Sequence, residues 1–324
     1  MYQEYYGLTG KPFQLNPDPS FYFGSRGHQR AMAYLEYGLH QSEGFIVITG
    51  DVGAGKTTLV RGLLQKLDPD KIVAGQLVST QLDAEDILRL VAAAFGLPSQ
   101  TPEKADLLLA LEMFLVSVAA KGKRVLLVVD EAQNLAPRAL EELRMLSNFQ
   151  FGEHSLLQSF LVGQPEFRET MRSPAMLQLR QRVLASYHLG PLDADETRAY
   201  IEHRLKHVGW KGNPSFQPDA FQAIYEFTAG VPRRINTLCD RLMLSGFLAG
   251  KEGFVRSDVE EVTKDLEEEA GAGAATPSEE PGMSSEGAHA SGTSGAGFAA
   301  QASLLEARLA RLEREVAQIK AGWR

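Results

Sequence analysis

One octapeptide constrains this chain more than any other feature. Gly50-Asp51-Val52-Gly53-Ala54-Gly55-Lys56-Thr57 fits the pattern G-x-x-x-x-G-K-[ST], and the apolar run Phe45-Ile46-Val47-Ile48-Thr49 leads directly into it. Average residue usage gives such a match by chance in roughly one chain in a hundred of this length. The chemistry explains the residue types. Glycines let backbone N–H groups curl around phosphate oxygens, and the helix that follows presents its positive end to them. Lys56 has the reach for β- and γ-phosphates, the Thr57 hydroxyl suits Mg2+, and Gly50 through Thr58 are the residues expected around the phosphates. Such a loop needs a strand before it and a helix after it, which already selects an α/β fold.

The rest of the chain supplies that fold. Ile72–Ser79, Val125–Val129, Ser159–Val162 and Val183–Leu189 repeat the short apolar run that suits a strand buried on both faces of a parallel sheet. Helical patterns separate them at Thr57–Leu67, Ala84–Phe95, Lys104–Ala120 and Pro137–Phe149. Another covers His28–His40, after an aromatic, turn-rich start that contains Asn16-Pro17-Asp18-Pro19 and Phe21-Tyr22-Phe23. After Pro191 the strand pattern stops. Asp193 and Glu196 have capping-box spacing ahead of a helix to Val208. Pro218 opens a helix that Gly230 ends, Pro232 opens one that runs to Leu248, and Arg256–Glu269 forms a fourth.

The expected division is therefore an N-terminal segment (1–44), an α/β nucleotide-binding domain with helices on both faces of a parallel sheet (45–190), and a small all-helical lid (191–269). A disordered acidic linker (270–297) and a C-terminal helix (298–324) follow. In that helix Phe298, Ala302, Leu305, Leu309, Leu312, Val316 and Ile319 are spaced 4-3-4-3-4-3, the a/d seam of a short coiled coil.

A second set of residues completes the phosphate chemistry. Val125-Leu126-Leu127-Val128-Val129-Asp130-Glu131 is an apolar strand that ends in two carboxylates. Asp130 is placed to hold Mg2+ and Glu131 to polarise an attacking water as general base. Gln164, at the tip of the strand ending Leu161-Val162-Gly163, is placed to orient that water or to sense the γ-phosphate. Arg180 and Arg182, in Leu179-Arg180-Gln181-Arg182, either reach a neighbouring subunit's phosphate as a finger or form a plain surface pair. Arg233, in the first turn of a lid helix, is placed to fold back to the γ-phosphate.

Composition closes off other classes. The single cysteine, Cys239, excludes a disulfide scaffold and a Cys-rich metal site and fits a reducing, cytoplasmic setting. The N-terminus lacks a basic region followed by an apolar run, so it is not read as a signal peptide. The best candidate span, Leu107–Ala120, is too short to cross a membrane and contains Glu112, so no integral membrane segment is expected. The net charge of -8 gives no general support for nucleic-acid binding. Six glutamates and no Lys or Arg lie between Leu266 and Gly297, so much of that charge belongs to the end of the last lid helix and the linker after it.

With these residues in place the chain resembles an AAA+ ATPase, and more narrowly the ExeA-type (general secretion pathway protein A) ATPases of Gram-negative bacteria. The resemblance rests on Tyr5-Tyr6-Gly7-Leu8, Lys11-Pro12-Phe13, Asn16-Pro17-Asp18-Pro19, Asp130-Glu131-Ala132-Gln133-Asn134-Leu135, Gly163-Gln164-Pro165-Glu166 and Gly230-Val231-Pro232-Arg233, and it spans residues 1–265. Within that group the chain is most similar to the ATPase linked to exosortase/PEP-CTERM and exopolysaccharide systems, on Tyr34-Leu35-Glu36-Tyr37-Gly38-Leu39-His40 and Gly44-Phe45-Ile46-Val47-Ile48-Thr49-Gly50. The resemblance implies ATP and Mg2+ as ligands, with Lys56, Thr57, Asp130 and Glu131 as the Walker residues. It implies Gln164 as sensor 1, Arg233 as sensor 2, and Arg180 or Arg182, with Arg182 favoured, as a trans arginine finger in a homo-oligomer. It places Asn16, Pro17, Phe21 and His28 near the adenine. The pattern departs from the family at the C-terminus. Secretion members carry a membrane span and a periplasmic peptidoglycan-binding region there; here a linker and heptad helix stand in their place, so a cell-wall role does not transfer.

Three functions compete on this reading. The first is an oligomerising ATPase that drives assembly of an envelope export or polysaccharide machine, peripheral at the inner membrane through protein partners. The second is a DNA-handling ATPase of the origin or transposition type, against which stands the lack of a basic element after the lid. The third is a nucleotide-gated scaffold whose working part is the C-terminal coiled coil.

Overall fold

The computed structural model describes residues 1–16, 18–78, 84–99, 103–152 and 154–272. Ser79, Pro17, and the segment that carries the expected linker beyond Ala272 and the heptad helix lie outside the described residues. Five strands form one parallel sheet: β1 (Phe45–Gly50), β2 (Ile72–Val78), β3 (Arg124–Asp130), β4 (Leu157–Gly163) and β5 (Val183–Leu189), in the spatial order β2-β3-β4-β1-β5. All five apolar runs of the sequence are strands. The loop-bearing β1 lies near the middle, with Val47 opposite Leu161 of β4 and Ser186 of β5.

The three inner strands, β1, β3 and β4, bury both faces because their side chains alternate between two separate cores, while β2 and β5 at the edges stay partly exposed. Phe45 and Val47 of β1, Val125, Leu127 and Val129 of β3, and Leu157 and Leu161 of β4 point into one core. Ile46 and Ile48, Leu126 and Val128, and Phe160 and Val162 point into the other. Helices cover the two sides. α1 (Arg26–Gln41) and α2 (Lys56–Lys66) contribute Ala31, Met32, Leu35, Leu59, Val60 and Leu63 to the second core. α3 (Ala84–Ala94), α4 (Lys104–Ala120) and α5 (Pro137–Leu146) cover the first, with Leu107, Leu111, Leu115 and Val118 of α4 marking a single stripe at helical spacing. Helix α5 stops three residues short of the expected Phe149. Ser147 takes over at its end, and the chain turns through Gly152 (φ 65°) into a small antiparallel pairing of Gln150–Phe151 with His154–Ser155. That pairing lacks an apolar run to announce it.

The helical part is made of α6 (Ala194–His207), α7 (Pro218–Thr228), α8 (Pro232–Leu248) and α9 (Arg256–Ala272). The capping box forms as expected: the Glu196 N–H donates to Asp193 Oδ1 (2.8 Å) and the Asp193 N–H to Glu196 Oε2 (3.4 Å). The core of this part is not made from its own helices alone. Tyr2, Tyr6, Leu8, Phe13 and Phe21 are buried in it beside Ile201, Leu205, Leu238 and Leu242. Each large side chain removed from water there contributes about 1.5–3 kcal/mol. The first 44 residues thus serve two places: the opening strap completes the helical core, and α1 packs on the sheet.

Arg204 ties the strap down. It is buried, with Nε donating to the Pro12 carbonyl (2.6 Å), Nη2 to the Gln14 carbonyl (3.2 Å) and Nη1 to the Tyr200 hydroxyl (2.9 Å). Its guanidinium also lies over the Phe21 ring, 4.6 Å from the centroid. Only a planar fork serves acceptors in these directions while stacking on a ring. Arg204→Lys is therefore expected to cost about 2 kcal/mol or more. Arg198→Lys, at an exposed pair with Glu202, should stay within about 0.5 kcal/mol. Urea unfolding of the two variants beside the parent chain measures the contrast.

Candidate functional site

The carboxyl ends of β1, β3 and β4 converge beneath the first turn of α8, and a cleft opens between them and the strap. Its floor is the loop between β1 and α2. Gly53 (φ 84°) and Gly55 (φ 96°) take left-handed conformations that let successive N–H groups face inward. A Cβ on Gly53 would stand 2.3 Å from Arg233 Cβ, and one on Gly55 would stand 2.7 Å from His28 Nε2. The loop is pressed from both sides, and glycine is the residue that fits.

Lys56 is 6% exposed, and its ammonium donates to the Gly50 (2.7 Å) and Asp51 (2.9 Å) carbonyls. Burial pushes it below its ordinary value, while Glu131 and Asp130 pull the other way. Thr57 Oγ1 donates to Asp130 Oδ2 over 2.8 Å, so a hydroxyl and a buried carboxylate from α2 and β3 meet at one point. These are hard oxygen donors of the kind Mg2+ takes, with phosphate oxygens and water completing its shell. Among the described residues there is no group of three or more His, Cys, Asp or Glu that could hold a metal on its own. The residues therefore fit an ion shared with a bound phosphate.

Glu131 lines the cleft just beyond. Burial raises its pKa, but donors from Gln133 (2.6 Å) and Gln164 (3.1 Å) to Oε2, and the charge of Lys56, outweigh it and hold the carboxyl below the usual range. The group is ionised at neutral pH, as a base must be. On the far wall, the Arg233 N–H donates to the Gly53 carbonyl (3.2 Å), and the Arg233 side chain lines the cleft with Asn236, Tyr200 and Arg204. Asn16 and Phe21 of the strap line it too, as do Val52, Gly53, Gly55, Lys56, Thr57 and Thr58.

Not every expected residue meets there. Arg180 Nη1 donates to the Met171 and Arg172 carbonyls, at the end of the short helix Glu166–Arg172. Arg182 Nη1 donates to the Ser147 carbonyl and hydroxyl. Both stand away from the cleft of their own chain, held by backbone at the ends of other helices. His28 reaches the cleft, yet its close neighbours are the loop and Ser25. Its Nδ1 lies 2.7 Å from Ser25 Oγ, and its other nitrogen faces Gly55 and bonds the backbone of Ala54. Sequence reasoning did not single out Gln133, Tyr200, Arg204 or Asn236. Gln133 sits two residues after the general-base candidate, a spacing that would have found it; the others announce themselves only by folding.

His28 is a buried ring whose protonation is penalised by burial, so its pKa lies below the ordinary 6.5. The unfolded chain then binds more protons than the folded one as pH falls through about 6.5, and stability is lost on that side. His28→Gln is expected to flatten part of the fall in melting temperature between pH 7.5 and 5.5, read by scanning calorimetry. His203 is depressed by burial as well and stays in both proteins. An unchanged slope in His28→Gln would remove His28 from the account.

Comparison with known proteins agrees with this geometry. Residues 39–171 match the family model described as an AAA domain. The chain is 40% identical over 261 residues to general secretion pathway protein A of Aeromonas hydrophila, a match that covers 80% of this chain and 47% of that protein. The chain thus spans about half the length of the curated relative it matches. Among solved structures it resembles Cdc6p from Pyrobaculum aerophilum (TM-score 0.58, 18% identity, 76% of this chain and 70% of that one). It also resembles the Aeropyrum pernix ORC2 protein (TM-score 0.54, 16% identity, 74% of this chain and 66% of that one). Identity that low speaks for the fold and for nothing further. Fold, motif order and sequence likeness converge: residues 39–171 carry an AAA-type core, in a chain that is similar through most of its own length to general secretion pathway protein A.

Proposed function

We propose that this chain binds Mg-ATP in the cleft and hydrolyses it by in-line attack of water on the γ-phosphate. The observation that supports this most is the meeting of Lys56, Thr57, Asp130, Glu131 and Gln164 around one opening. Mg2+, held through Thr57 and Asp130, supplies charge neutralisation at the phosphate oxygens. Lys56 and the loop N–H groups spread negative charge, Glu131 takes the proton of water, and Gln164 orients it. Arg233 reports the phosphate state to α8, since its backbone already touches the loop.

The chain acts as a homo-oligomer in which Arg182, or Arg180, turns from its intrachain carbonyls to a neighbour's phosphate. It energises assembly of an envelope secretion system, a reading supported by the 40% identity to general secretion pathway protein A. The narrower assignment to an exosortase-linked exopolysaccharide system is supported by the motifs of residues 34–50. It works on the cytoplasmic side and docks at the inner membrane through a protein partner of residues 298–324, a reading supported by their heptad spacing; among the described residues no helix is long and apolar enough to cross a membrane.

Four variants test the chemistry. Lys56→Ala is expected to lose Mg-ATP binding, measured by fluorescent-nucleotide titration. Glu131→Gln should keep that affinity within a few-fold and lower kcat by about 10²-fold or more. Turnover per chain should rise with protein concentration, and Arg182→Ala or Arg180→Ala should abolish that rise while nucleotide still binds. A Glu131→Gln chain that hydrolyses ATP at the parent rate refutes the base assignment.

A further inference from the structure

Three side chains meet behind the cleft, and the hydrolytic reading uses only two of them. Glu131 leaves β3 with φ 55°, a left-handed conformation that residues with side chains rarely adopt, and the chain winds at once into the single turn Ala132–Asn134. That turn sends Gln133 back toward the carboxylate two residues before it. Gln133 Nε2 donates to Glu131 Oε2 over 2.6 Å, and Gln133 Oε1 accepts the Gln164 backbone N–H over 2.9 Å. Gln164 Nε2 donates to the same Glu131 oxygen over 3.1 Å. One amide thus joins the end of β3 to the end of β4 with both of its polar atoms. Gly163 leaves room for it, since a Cβ there would stand 3.1 Å from Gln133 Oε1.

The bridge answers a mechanical need. A glutamate on two methylenes samples several rotamers, whereas a base acts on a water that must be held within a few tenths of an ångström. Two donors on Oε2 fix the carboxylate and leave Oε1 as the oxygen that takes the proton. The bridge also requires a donor on one side and an acceptor on the other. Glutamine provides both at this length; glutamate would set a like charge against Glu131, and asparagine is one methylene short.

We propose that Gln133 is a positioning residue for hydrolysis, a clasp that holds Glu131 and Gln164 at a fixed spacing so that base and phosphate-facing strand end act as one unit. The proposal rests on the ATPase reading. The test uses the full chain and the variants Gln133→Ala, Gln133→Met, Gln164→Ala and the double variant Gln133→Ala/Gln164→Ala.

The first readout needs no nucleotide. Hydrogen exchange at the Gln164 amide should quicken at least tenfold in Gln133→Ala and Gln133→Met, because that N–H loses its acceptor. The amides of Leu161 and Val162, inside the sheet, should not change. The second readout is kinetic. Both Gln133 variants should bind Mg-ATP within twofold of the parent and lose roughly tenfold or more in kcat, and the double variant should be no slower than Gln164→Ala alone. An unchanged Gln164 amide overturns the clasp. Loss of affinity at constant kcat, or effects of the two glutamines that multiply, overturns the positioning assignment. If the amide responds as expected but the parent chain never turns over ATP, the hydrolytic reading fails and takes the positioning assignment with it.

Discussion

A buried ammonium sets the terms for the whole molecule. Lys56 carries its charge into a site that is almost closed to water, and it does so against a cost that only nearby acceptors and carboxylates offset. The acceptors are the carbonyls of Gly50 and Asp51, so the loop must wrap back over the end of β1. The carboxylates are Asp130 and Glu131, so β3 must end at the same height as β1. The strand between them, β4, is fully buried, which fixes their spacing. Loop shape, strand order and strand length therefore follow from one charge that needs company.

The helical part obeys a different logic. It is small, and four helices of this length bury too little surface to stand easily alone. The opening strap supplies the missing aromatic mass, and Arg204 replaces the strap's lost water with side-chain donors to its carbonyls. Because the strap also lines the cleft, the packing that stabilises the helical part also shapes one wall of the cleft. Core packing and cleft shape share residues there, and neither is free to vary without the other.

What the sequence disclosed tracks how local each signal is. The inner strands were legible because burial on both faces demands unbroken apolar runs, and the glycine-lysine-threonine loop because its geometry admits few other residues. Asp193 and Glu196 were legible because a capping box is complete within four residues. The strap was not: Tyr2 donates to Asp240 across most of the chain, and nothing near Tyr2 names that partner. His28 was expected near the adenine; it lines the cleft and also braces the loop against Ser25, a partnership chosen by the fold. The two arginines before β5 were read as alternatives for one finger or as a surface pair; within the chain each holds the end of a different helix, contacts that no local pattern announces.

The contact between Arg233 and Gly53 makes α8 a lever. Its first turn rests on the loop with no atom to spare, and the helix then runs for seventeen residues, about 25 Å. A tilt of about 5° at the loop carries the far end through about 2 Å. That far end is Leu248, whose side chain is 75% exposed. A displacement too small to notice at the loop would thus arrive, enlarged, at an apolar point on the outer surface.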